Sequence, residues 1–224
     1  MRRPVLLIAA CAAAAALSTL LPWALAFDAE AWLVWGREIL HGGLVTQGGP
    51  SWKPLTVAID VPLALLGDAA PWAWLVVART AGLLALAGAA ALALRLGGAA
   101  WVPAALIALS PWWAFHAALG NSEGMLAAAV LWAVVAHLDG RRGAALAFGL
   151  AAALLRPEAW PFLGLYALFL LWEDRTRLRW IAGGMAVLPV LWLAPEYWGS
   201  GNAFRASDRA QNPRSNSPAF ADNP

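Results

Sequence analysis

Apolar runs recur from residue 4 to residue 198, and most ionisable side chains fall in the short breaks between them. A helix needs about 20 consecutive apolar residues to cross the hydrocarbon core of a bilayer. The runs at 4–25, 71–96, 101–118, 124–138, 143–155, 160–172 and 180–198 therefore predict an all-α fold, a polytopic transmembrane helix bundle of about seven spans. The fifth and sixth runs are short for a span. Residues 55–67 are apolar but too short to cross upright. Asp60 and Pro62 interrupt them, so they read as a re-entrant or interfacial helix. Composition agrees: the chain of 224 residues is 62% hydrophobic and 12% charged, against about 25% charged in soluble domains. A formal net charge of +2 is too small to argue for nucleic acid as a partner. The lone cysteine, Cys11, excludes an internal disulfide and a cysteine-based metal site, and reads as a small buried apolar residue.

Arginines orient the bundle, because cytoplasmic loops collect Lys and Arg. A cytoplasmic N-terminus, carrying Arg2 and Arg3, places Arg95, Arg141, Arg142, Arg175, Arg177 and Arg179 on the same side. The opposite, outer side receives residues 27–54, the turns at 120–123 and 156–158, and the tail. Arg205, Arg209 and Arg214 of the tail count against this orientation and are outvoted by the short inner loops. "MRR", an apolar stretch and "ALA" at 24–26 also fit a secretory leader with a small-residue cleavage site. The length of the run, and Pro22 and Trp23 at its end, favour a retained span.

This topology gathers Asp28, Glu30, Arg37, Lys53, Glu123, Arg156 and Glu158 at the outer face, with Asp60 and Arg79 slightly below it. Ionisable groups in or beside a membrane bundle are costly and are functional candidates by default. The stretch "FDAEAWLVWGREILHGG" follows the first run and reads as an external amphipathic helix. Asp28, Trp32, Trp35 and Ile39 share one helical face, and Glu30, Val34, Arg37 and His41 a second. Asp28 also suits an N-cap, and the tryptophans suit the membrane interface. Arg79 could pair with Asp60, Glu123 could cap the fourth helix, Lys53 could reach to the interface, and His116 reads as a bundle histidine.

The order of a transmembrane helix, Asp-x-Glu, an amphipathic helix, Gly-Gly and then Lys-Pro-Leu resembles the GT-C glycosyltransferase superfamily. So do "GNSEGM" at 120–125 and "LLRPEAWPF" at 154–162. The resemblance implies a membrane enzyme, like the protein mannosyltransferases and aminoarabinose transferases, that takes a sugar from a polyprenyl-phosphate donor at the outer face of the membrane. It implies an essential carboxylate or base at Asp28, a second acid at Glu30, and a further external carboxylate at Glu123. Unlike adjacent carboxylates, Asp28 and Glu30 are separated by one residue. Lys53, Arg79 and Arg156 are the cations available for the donor phosphate, and Glu158 is a further site candidate. Asp28 and Glu123 could jointly hold Mg²⁺ or Mn²⁺ through oxygen ligands. Some members of the superfamily use a metal and others do not, so no metal is assigned.

The implied partners are the lipid bilayer, the polyprenyl-phosphate sugar donor and an unidentified acceptor. Abundant alanine, glycine, arginine and tryptophan are associated with GC-rich bacterial genomes, so the bilayer is read as a bacterial plasma membrane. Residues 1–198 form the transmembrane module. Residues 199–224, rich in Ser, Asn, Pro and Ala, read as a flexible external loop that leads to further helices, which makes the chain the front part of a longer enzyme. The rival class is a non-catalytic membrane protein, a lipid-linked sugar flippase or a polysaccharide-assembly scaffold, which needs the apolar groove but not Asp28. A small transporter is disfavoured, since polar residues at mid-membrane depth are sparse.

Overall fold

A computed structural model describes residues 2–212. Among them there is no strand. The helices are α1 (Arg2–Ser18), α2 (Phe27–Leu40), α3 (Pro54–Leu63), α4 (Ala70–Arg95), α5 (Trp101–Ala108), α6 (Pro111–Ala118), α7 (Glu123–Leu138), α8 (Arg142–Ala153), α9 (Trp160–Glu173), α10 (Leu178–Ser200) and α11 (Arg205–Gln211). A six-residue 3-10 segment leads from α3 to α4, and single 3-10 turns lead into α9 and into α10.

Two stretches are long and apolar enough to cross a membrane, Pro54–Arg95 and Arg175–Ser200. A third arises only if α6 and α7, bent by 112° at their junction, count as one span. This is fewer than the seven expected, and the reasons are local. Extended Ser110 and Pro111 at the start of α6 divide the run 101–118 into two helices of 8 residues each. The run 4–25 is helical only as far as Ser18. Pro157 lies between the 12-residue α8 and the 14-residue α9. Twelve residues reach about 18 Å, well short of a hydrocarbon core of about 30 Å. The break expected at Asp60 and Pro62 falls instead at Gly67, whose φ of 56° is open to glycine. Pro62 remains inside α3.

Helices α4 and α7 run parallel, with α5 and α6 returning between them. Trp74 bonds the Gly120 carbonyl near one end, Trp132 bonds the Leu84 carbonyl midway, and Arg95 pairs with Asp139 at the other end. Small buried residues on α4, namely Ala78, Gly82, Ala85 and Ala89, allow the close approach. A Cβ on Gly124 would lie 2.9 Å from the Gly82 Cα. Helices α7 and α8 form an antiparallel hairpin, and α9 and α10 flank it.

Trp32 and Trp35, expected at the interface, lie inside instead. Trp32, Trp35, Trp52 and Trp74 are buried together, with Trp32 edge-on to Trp74 and Trp35 against Trp52. Much of the outer surface is apolar, and Trp172 and Trp180 are each 83% exposed. Together with the two long apolar helices, that surface is consistent with a membrane protein.

The two-sided division of charge expected from sequence is found as a division between the ends of the bundle. The Arg95–Asp139, Arg142–Glu173 and Arg177–Asp174 pairs occupy one end. Asp28, Lys53, Glu123 and Arg156 occupy the other. Part of the segment expected to be a flexible loop is instead the helix α11, and its buried Arg205 ties it to α10. Residues 213–224 of that loop lie outside the described residues.

Candidate functional site

Lys53 is the centre of the charged end. It precedes α3 in an extended conformation, with Pro54 as the first helical residue, and Thr56 Oγ1 donates to its carbonyl at 2.8 Å. Its side chain is buried. Nζ donates to Ser122 Oγ at 2.7 Å and sits 4.6 Å from the centre of the Trp32 ring. Desolvation, aided by the Arg156 charge, brings its pKa down to about 8, although Glu123, Asp28 and Glu158 oppose the fall.

Asp28 stands in the first turn of α2, half-buried. It does not cap the helix: the cap position is Ala26, and no side-chain cap bond forms there. Asp28 lies within charge range of Lys53, Glu123, Arg156 and Arg209. Burial raises its pKa, Lys53 is the strongest influence in the other direction, and Glu123 adds to the rise. Glu30 points away, on the exposed face of α2, and is not drawn into this group. The division into faces read from the sequence is therefore present: Trp32 and Trp35 are buried, while Glu30, Val34, Arg37 and His41 are exposed.

Glu123 opens α7 after a turn at Gly120, whose φ is 71° and whose carbonyl accepts from Trp74 Nε1 at 2.9 Å. Ser122, not Glu123, holds the cap position. Arg156 Nη2 donates to Glu123 Oε1 at 2.9 Å. His116 Nδ1 lies 3.6 Å from Oε2, while Asn121 Nδ2 and His116 Nδ1 are 2.9 Å apart. Two buried polar atoms here have no hydrogen-bond partner, the Trp32 Nε1 donor and the Glu123 Oε2 acceptor. Orphaned polar atoms of this kind are uncommon in native interiors and call for a ligand, a water or a functional reason.

Beside this group lies a cavity of about 410 Å³, bounded by Lys53, Arg156, Glu158, Trp160, Trp192 and Glu196 among others. Asp28 and Glu123 are not in its wall; Lys53 and Arg156 connect the two zones. Its far wall is built by α10 and by the turn into α11. There, Arg205 makes two bonds to the buried Glu196 carboxylate, at 2.7 and 2.8 Å, and also donates to the Gly49 and Pro50 carbonyls. Thr46 Oγ1 donates to the same carboxylate. The loop from α2 to α3 is thereby clasped between α10 and α11.

Arg79 does not join the other two phosphate-site candidates. It donates to Ser18 Oγ at 2.8 Å and to the Ala118 carbonyl at 2.9 Å, bracing α1 against the end of α6. The expected Arg79–Asp60 pair is therefore absent. Asp60 is fully buried against Gly36, and neither of its carboxylate oxygens has a hydrogen-bond partner. Among the described residues no group of three or more His, Cys, Asp and Glu side chains could hold a metal ion. A cation at Asp28 and Glu123 would thus have only two carboxylates, one of them already engaged by Arg156.

Sequence reasoning missed Ser122, Glu196, Arg205 and Arg209. Glu196 did carry a signal, being an acid inside an otherwise apolar run. The tail arginines gave none, because their roles depend on where α11 docks. Comparison with family models, curated proteins and solved structures finds no match to this chain.

Proposed function

We propose that this chain is a membrane glycosyltransferase, or the front part of one, similar to the GT-C superfamily, and that it transfers a sugar from a polyprenyl-phosphate donor. The observation that supports the reading is the meeting of Asp28, Lys53, Glu123 and Arg156. These come from four separate segments and lie within charge range of one another. In this reading the shorter apolar helices are embedded beside the two long ones, giving about seven membrane segments. The N-terminus is cytoplasmic, and the site opens at the outer face of a bacterial plasma membrane.

The chemistry follows from the residue types. Asp28 takes the proton of an acceptor hydroxyl as its oxygen attacks the anomeric carbon. The bond from that carbon to the phosphate oxygen breaks, and polyprenyl phosphate leaves with the electron pair. Lys53 and Arg156 stabilise the charge on the leaving phosphate. A carboxylate whose pKa is raised by burial is a better base than an exposed one, and such a base contributes on the order of 10²–10⁴ in rate.

The test is consumption of a radiolabelled polyprenyl-phosphate sugar by the chain in liposomes, with acceptor extracts supplied. Asp28→Asn should abolish turnover at normal protein level, and Glu30→Gln should have a milder effect. Near-normal turnover by Asp28→Asn would overturn the role of Asp28 as base. It would favour the flippase or scaffold reading, in which donor binding persists without transfer.

A further inference from the structure

A second cavity, of about 320 Å³, lies between α7, α8 and α9 and belongs to none of the chemistry above. Its floor is made of small or buried apolar groups, including Ala145, Ala152 and Leu163, which are 1%, 2% and 4% exposed. Its lips, Val130, Val134 and Phe162, face outward and are 46%, 41% and 75% exposed. Because α7 and α8 are antiparallel, the groove follows the helix axes. From Val130 to His137 it runs about 10 Å.

One end of this groove is polar. His137 and Tyr166 line it there, at the end of the bundle opposite Asp28 and Lys53. Arg142 Nη1 lies 3.0 Å from His137 Nδ1, and Tyr166 Oη lies 3.2 Å from the same nitrogen. A guanidinium can only donate, so Nδ1 is the acceptor and the ring proton sits on Nε2. Nε2 has no hydrogen-bond partner among the described residues, so this end presents an N–H donor. Arg142 is in contact with His137, and Arg177 lies within charge range of Tyr166. The loops at this end of the bundle carry Arg95, Arg141, Arg142, Arg175, Arg177 and Arg179 against Asp139, Glu173 and Asp174, six positive charges less three negative, or +3. Arg141, Arg175 and Arg179 are exposed and have no carboxylate partner among the described residues.

We propose that this groove binds one chain of an acidic phospholipid, with its phosphate at His137 Nε2–H and the arginine-rich loops at this end. The apolar floor and outward-facing lips suit an acyl chain entering sideways from the bilayer. The excess of positive charge at the polar end selects an anionic head over a zwitterionic one. The occupant is a lipid of the leaflet at this end of the bundle, and the proposal does not depend on the transferase reading.

Native mass spectrometry of the purified full chain, released from mixed micelles holding equal phosphatidylglycerol and phosphatidylcholine, tests this. Phosphatidylglycerol should be retained about fivefold to tenfold more than phosphatidylcholine. Ala133→Trp, which fills the groove, should abolish retention of both. His137→Phe, which keeps the ring volume and removes the donor, should weaken retention of both lipids, since both carry the phosphate that Nε2–H would bind. Arg141→Gln changes an exposed side chain without a carboxylate partner, and should weaken the preference with helicity and melting unchanged in uncharged detergent. Equal retention of the two lipids by the unmodified chain would overturn the proposal, as would unchanged retention in Ala133→Trp. A preference that disappears in Arg156→Gln but survives undiminished in Arg141→Gln would also overturn it, by placing the head group at the other end.

Discussion

Arg156 donates a 2.9 Å hydrogen bond to Glu123, tying the turn after α8 to the first turn of α7. The two side chains are unequally covered: Glu123 is 13% exposed and Arg156 40%. Losing the guanidinium leaves a largely buried carboxylate with neither oxygen hydrogen-bonded. Losing the carboxylate charge leaves a cation that water can reach. Arg156→Met should therefore destabilise by about 1–2 kcal/mol, and Glu123→Gln by less than about 1 kcal/mol. Thermal unfolding in a single detergent measures both. Equal losses would show that burial does not govern this pair.

Lys53 carries a pH dependence of definite sign. Its folded pKa, about 8, lies below its ordinary value of 10.5, so between those limits the unfolded chain binds more protons. Stability should rise with pH across that window and level off beyond it. Phosphate-donor affinity should change the opposite way, falling as pH passes 8 and Lys53 loses its charge. Unfolding and donor-binding titrations from pH 7 to 10.5, each compared with Lys53→Met, separate this contribution from other groups. A difference that stays flat with pH would remove Lys53 from the account.

Asp28 is expected to be a stability liability at neutral pH. Burial raises its pKa, so its share of stability falls as pH rises from the ordinary carboxylate value through the raised one. Asp28→Asn should leave the melting temperature unchanged or higher at pH 7, even where turnover is lost. A clear drop in melting temperature would assign Asp28 a structural role.

Two glycines at one helix crossing should respond differently. A Cβ on Gly124 meets the Gly82 backbone at 2.9 and 3.0 Å, whereas one on Gly82 meets only the Ala117 and Trp113 side chains, at 3.9 Å. Gly124→Ala should cost about 1–3 kcal/mol by forcing α4 and α7 apart. Gly82→Ala should be near neutral, since alanine is the better helix former. Comparison of their melting curves decides the matter, and similar costs would argue against the close approach of these helices.

The Glu196–Arg205 clasp should be the most sensitive of these contacts. Arg205→Leu strands a carboxylate that is 2% exposed and frees two loop carbonyls, for an expected loss of about 3–5 kcal/mol. Replacing Glu196 by leucine as well should recover part of it. Hydrogen exchange should quicken across residues 44–53 in the single variant. Unchanged exchange there would mean that the loop is held by other contacts.

What the sequence determined by itself is local. Apolar runs broken by Gly, Pro and charge specify helices rather than strands, and they divide the charges between two ends of a bundle. The spacing of four, three and four set Asp28, Trp32 and Trp35 on one face of α2, because side-chain direction in a helix follows from position alone. Partners are a different matter. That Arg79 serves Ser18 and Ala118 rather than Asp60, that Glu123 meets Arg156, and that Arg205 reaches Glu196 and the Gly49 carbonyl all depend on which helices pack side by side. The same holds for the tryptophans: their composition suits an interface, yet Trp32 and Trp74 are buried because α2 and α4 enclose them. Hydrophobicity is a property of each residue, whereas a hydrogen-bond partner is a property of two distant ones. The tertiary structure alone decided those contacts, because only packing brings such residues within the roughly 3 Å over which a hydrogen bond acts.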